Sequence, residues 1–155
     1  MRKELVKFER KTIMYQILKS AHSGWRYLVL ILLVVAIIQA LAGWLGKKPY
    51  TEGNRKLNLF TLIFVHTQIL IGLVLYFLSP LVEAGVRYWK MEHIGMMIFA
   101  AVLVTIGNAR SKKGTDAAVK HRSVALYFGL GLIIIIASIL QMTMVDPSRS
   151  FFGVS

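Results

Sequence analysis

Four histidines, His22, His66, His93 and His121, are the only imidazoles in the chain, and each lies in or beside a different long uncharged run. An imidazole in hydrocarbon is costly unless it is hydrogen-bonded, faces a cavity or binds a metal. Such a residue is therefore a functional candidate by default. One histidine on each helix of a bundle supplies what a haem iron needs, two imidazoles approaching from opposite sides. The sequence has no cysteine, which excludes disulfides, thiolate ligands, iron–sulfur clusters and covalent Cys-x-x-Cys-His attachment. A haem carried here, in one or two copies, is thus held non-covalently, through histidine or methionine.

Those histidines need elements to carry them. Residues 27–46, 57–82, 94–109 and 123–145 contain no charge and run for 20, 26, 16 and 23 residues. A bilayer core of about 30 Å takes about 20 apolar helical residues. Three runs pass that test. The third is short unless Met91, Glu92 and His93 are drawn into it, which predicts polar company for Glu92 and His93 inside the bundle. Lys47-Lys48-Pro49, Pro80 with Glu83-Ala84-Gly85, and residues 110–114 break the runs. The expected fold is all-α: a transmembrane up-down four-helix bundle with spans near 21–46, 57–80, 91–109 and 117–144. Its loops are too short for anything but antiparallel neighbours. The domains are then a basic amphipathic tail (1–20), the bundle (21–145) and a short C-terminal tail (146–155).

Composition agrees with a membrane protein. Apolar residues make up 56% of the chain and mean hydropathy is +0.61, so a soluble domain of this length is not expected. The first span is too long and too late for a cleaved signal peptide and lacks a small-residue cleavage site. A net charge of +12 raises nucleic acid as a partner. However, the basic residues sit in the tail and loops, where lipid headgroups take them up, and no basic stripe interleaves with exposed aromatics. The partner is the lipid bilayer, with no nucleic acid.

Side A is the face where the first span begins, and side B is the other. Side A carries ten Lys and Arg residues and side B nine, but all nine on side B lie in interhelical loops, against two on side A. The positive-inside rule weights short loops, which favours side B as cytoplasmic and both termini outside. The tail mixes Leu5, Val6, Phe8, Ile13, Met14, Ile17 and Leu18 with six basic residues. It reads either as an amphipathic helix lying among headgroups or as a solvated or partner-bound tail.

Depth suggests how the histidines pair. His66 stands roughly 13 Å into the second apolar run at 1.5 Å per residue, and ligation is the favoured reading of so deep an imidazole. His22 and His93 lie near side A on spans one and three, which run in the same direction and are diagonal in an up-down bundle. They form the first expected haem site. His66 with His121 forms the second, although the two differ in depth by several residues. His121, between Lys120 and Arg122, reads equally well as a surface histidine of side B. Arg26, one turn after His22, and Arg122 can pair with haem propionates or snorkel to phosphates. Glu92 is the candidate catalytic carboxylate, orienting His93 or accepting a quinol proton. Gly72, Gly95, Gly129 and Gly131 permit close approach of a helix or of a flat ring.

Several stretches carry a resemblance over most of residues 21–145. The first is His22-Ser23-Gly24-Trp25-Arg26-Tyr27-Leu28-Val29-Leu30, followed by Gly46-Lys47-Lys48-Pro49-Tyr50-Thr51 with Lys56-Leu57. Then come His66-Thr67-Gln68-Ile69-Leu70-Ile71-Gly72-Leu73 through Tyr76 to Pro80, Glu92-His93-Ile94-Gly95-Met96 and Thr105-Ile106-Gly107-Asn108-Ala109-Arg110. In these the chain resembles small four-span bacterial membrane proteins labelled cytochrome B and, more distantly, the di-haem cores of larger membrane cytochromes b. The resemblance implies b-type haem and electron transfer in a bacterial inner membrane. Quinone or other subunits of a respiratory complex would be the exchange partners. Two other classes fit the residues: a haem-free scaffold subunit, and a proton-coupled carrier relaying through Glu92, His93 and His66.

Overall fold

No proline occurs before Pro49, and nothing else breaks the backbone, so the chain begins with one unbroken helix. The computed structural model describes residues 2–149; Met1, residues 150–155 of the C-terminal tail, and the side chains of Leu5 and Lys7 lie outside that description. Helix α1 (Arg2–Leu45) is 44 residues long, about 66 Å at 1.5 Å per residue. Residues 2–20 of the expected basic tail are helical and continuous with the first candidate span. Lys11 Nζ ties this extension to Glu83 at 3.7 Å. The helix stops where Lys47 adopts φ 50° and the Lys48 amide bonds back to the Gly43 carbonyl at 2.9 Å. This is a Schellman-type end with Pro49 beyond it.

Helix α2 (Glu52–Leu78) starts from a capping box, with the Thr51 amide donating to Asn54 Oδ1 at 2.8 Å and the Asn54 amide to Thr51 Oγ1 at 3.3 Å. Pro80 opens a single turn, α3 (Pro80–Glu83), and Gly85 at φ 76° closes it. A π-helical turn, Tyr88–Glu92, then runs directly into α4 (His93–Lys113). This turn removes the shortness of the third run by adding Tyr88 to Glu92 to the helix. Asp116 caps α5 (Ala117–Val145), accepting from the Val119 amide at 2.8 Å.

Helix α1 packs on α2 and α5, and α4 packs on α5 and α2. The result is a closed ring of four in which α1/α4 and α2/α5 are diagonals. Four helical stretches, Arg2–Leu45, Glu52–Leu78, Tyr88–Lys113 and Ala117–Val145, are long and apolar enough to cross a membrane. The chain is an all-α, four-helix, multi-pass membrane protein. In lipid the contact between helices rests on close packing rather than on exclusion of water. Accordingly, Leu33, Val104, Val124 and Phe128 are fully enclosed. A Cβ on Gly107 would lie 2.7 Å from Tyr127 Cβ, and one on Gly131 3.1 Å from Val104 Cγ2. These two glycines let α4 and α5 meet closely. Gly95 and Gly129, by contrast, face open space.

Candidate functional site

At side A the four helices leave a cavity whose enclosed part measures about 160 Å³ and which opens outward. His22 on α1 and His93 on α4 both line it, reaching in from diagonal helices, with ring centroids 6.4 Å apart and planes at 71°. Helix α1 is held in register against α2 by two bonds: Gln68 Nε2 donates to the His22 carbonyl at 2.9 Å, and Trp25 Nε1 to the Phe64 carbonyl at 3.1 Å. The Trp25 and Phe64 rings also stack at 4.7 Å. Gly72 lies opposite His22, and a Cβ there would come within 3.0 Å of His22 Cε1. His22 Nδ1 is buried and has no hydrogen-bond partner.

His93 differs. Its Nδ1 lies 3.1 Å from Ser138 Oγ and 3.3 Å from Tyr88 Oη. The π-turn explains the second contact: the His93 amide bonds to the Tyr88 carbonyl, so residues five apart sit one above the other. Glu92, expected to orient the imidazole, is engaged elsewhere. Its oxygens accept from Gln141 Nε2 at 2.5 Å and pair with Arg87 Nε at 2.8 Å. Tyr88 and Ser138 do the orienting, and a regular helical wheel through His93 hides them both.

Lys19, Arg26 and Arg149 line the same cavity. The Arg149 guanidinium stacks on Trp89, 4.5 Å from the ring centroid, and its Nε bonds Asp146 Oδ2 at 2.8 Å. Asp146 lies just past α5. Its carboxyl is held below the usual carboxylate range, first by the Ser148 hydroxyl and then by Arg149. Of the two arginines expected to meet propionates, Arg26 is at this cavity. Arg122 is at the other end of the bundle, over the Trp44 ring at 5.8 Å.

The second expected pair is not assembled. His66 is exposed on the outer face of the bundle, where Nε2 bonds Thr105 Oγ1 at 3.0 Å. His121 is 2% exposed, set against Gly43 so closely that a Cβ there would fall 2.3 Å from the ring. Its neighbour is Tyr50, with ring centroids 5.0 Å apart. Both helices start on side B, and His66 lies 14 residues beyond the start of α2 whereas His121 lies 4 beyond the start of α5. That offset of 10 residues is about 15 Å along the bundle.

Two opposed imidazoles suit a group that brings its own equatorial donors. Bonds of about 2 Å from each ring to one metal put the centroids roughly 6 Å apart, close to the 6.4 Å between His22 and His93. Among the described residues no three His, Asp or Glu side chains converge on a bare ion, so these two rings fit as the axial pair of a porphyrin metal. The unpartnered His22 Nδ1 and the space left by Gly72 fit the same group. The three cations lining the cavity, Lys19, Arg26 and Arg149, suit the carboxylates of such a group. Comparison with protein-family models, curated proteins and solved structures finds no match for this chain.

Proposed function

We propose that this chain is an integral-membrane b-type cytochrome that holds one haem b between His22 and His93. The observation that carries the proposal is the opposition of two imidazoles across one cavity, from diagonal helices, at a separation suited to a shared iron. A bound haem supplies reversible one-electron transfer, and two imidazole ligands suit it to that role rather than to oxygen binding. The chain's own residues do the rest. His22 and His93 would hold the iron, and Gly72 leaves room for the His22 ring against α2. Lys19, Arg26 and Arg149 neutralise propionates at the mouth, and the apolar walls keep water from the centre. The position of the cavity at one end of the bundle favours exchange with a partner at side A, a quinone or a neighbouring respiratory subunit. The sequence resemblance to small four-span proteins labelled cytochrome B implies the same reading, and with it we propose a bacterial inner membrane.

The test is direct. Full-length protein purified in detergent should be red, with one haem per chain by pyridine haemochrome and a low-spin spectrum. His22→Ala and His93→Ala should each abolish it. A chain that stays colourless after haem supplementation, or substitutions that leave haem content unchanged, would overturn the proposal.

A further inference from the structure

Tyr88 is 3% exposed and Ser138 is fully enclosed, and with His93 they form a closed set of short contacts. Tyr88 Oη lies 2.6 Å from the Ser138 carbonyl oxygen and 3.2 Å from Ser138 Oγ. Each hydroxyl also lies against His93 Nδ1. Proton counting favours one set of directions for these contacts. A phenol has one hydrogen and a carbonyl only accepts, so at 2.6 Å the Tyr88 hydrogen belongs to the Ser138 carbonyl. Toward Ser138 Oγ and His93 Nδ1, Tyr88 Oη can then only accept. Ser138 Oγ therefore donates to Tyr88, and its own lone pair faces His93 Nδ1. Both oxygens present lone pairs to that nitrogen, which must carry the ring hydrogen. The alternative, Ser138 donating to a bare Nδ1, sets Tyr88 Oη lone pair to lone pair against the same nitrogen.

We infer that Tyr88 and Ser138 are positioning residues that hold His93 in the Nδ1–H form, so that Nε2 is the atom this cavity-lining ring offers to a metal. As an account of ligand tuning this rests on the haem proposal; as an account of the ring's tautomer it does not. A hydrogen bond from Nδ1–H makes an imidazole a stronger donor through Nε2 and favours the oxidised metal. The π-turn has the same purpose, since it brings Tyr88 under the ring from five residues away.

Two measurements on the full-length protein separate the claims. In apoprotein labelled with 15N-histidine, His93, identified by loss of its signals in His93→Gln, should show a protonated Nδ1 and an unprotonated Nε2. Tyr88→Phe combined with Ser138→Ala should convert it to a mixture with substantial Nε2–H form, and Ser138→Thr, which keeps the hydroxyl, should restore the original pattern. In haem-loaded protein the double variant should show a more positive midpoint potential with the low-spin spectrum retained, and Ser138→Thr should return the potential toward its starting value. A wild-type His93 protonated at Nε2, or a double variant with an unchanged tautomer, overturns the inference. Haem-loaded variants with an unshifted potential overturn the tuning. If the wild-type chain takes up no haem, the function proposal fails while the nitrogen spectra still decide the tautomer.

Discussion

The two ends of the bundle each hold histidine, and they treat it in opposite ways: partly buried at side A, enclosed at side B. At side A, His22 and His93 face a cavity, and His93 has one nitrogen bonded and the other free to act. At side B, His121 is walled in by the Gly43 backbone and the Tyr50 ring, and neither of its nitrogens has a partner. A buried polar atom left unsatisfied costs about 1–3 kcal/mol. What separates a candidate ligand from a packed ring is open space on one side and, at His93, a polar anchor on the other. Glycine marks both ends to a different degree: the His121 ring lies hard against Gly43, and the His22 ring more loosely against Gly72.

The sharpest break of this contrast is at those glycines. Gly43→Val drives side-chain carbon into the enclosed His121 ring and should destabilise the fold by about 3 kcal/mol or prevent folding, consistent with severe overpacking. Gly72→Ala needs His22 Cε1 to give way by only a few tenths of an ångström. It should leave stability within about 1 kcal/mol while weakening haem binding on the order of tenfold, the equivalent of about 1.4 kcal/mol. Unfolding curves and haem titrations on the two variants check both; equal stability losses at both ends would erase the distinction.

A smaller effect is expected from His121→Phe, which removes two unsatisfied nitrogens at similar volume. Stability should be unchanged or higher by about 1 kcal/mol, and haem content should stay at one per chain. Loss of haem on this substitution would restore a side-B site.

The smallest effect concerns the mouth. Because the Asp146 carboxyl is held below its usual range, its grip on Arg149 is complete above about pH 4 and is lost as pH falls through the lowered value. Tryptophan fluorescence, sensitive to Arg149 over Trp89, should be flat from pH 7 to pH 5 and change only in more acid solution. Asp146→Asn should remove that step with no measurable change in thermal midpoint at neutral pH, since exposed pairs contribute little.

The four spans were legible because uncharged length is itself the physical requirement for crossing a bilayer. The diagonal placement of His22 and His93 followed from short loops alone. The outward facing of His66 did not, for a specific reason. Lipid is as apolar as a leucine core, so a helix such as α2 carries no strong pattern to say which way it is rotated. The side-B pairing failed on depth, because α5 begins at Ala117 and not early enough to lower His121 toward His66. Tyr88 and Ser138 were hidden for another reason again. One lies five residues from His93 across a π-turn that no periodicity announces, and the other lies 45 positions away on a different helix. The continuity of α1 was equally unreadable, since a basic, apolar tail suits an interfacial helix and a protruding one alike.

That continuity has a mechanical side. A bilayer core of about 30 Å accounts for about 20 residues, less than half of the 44 in α1. The rest exceeds what a single crossing needs, with neither proline nor glycine between Arg2 and His22 to act as a joint. Torque applied at the far end therefore meets no kink site before the imidazole. A quarter-turn of the helix would swing His22 away from His93, and the ion pair from Lys11 to Glu83 is a brace on that extension that resists it.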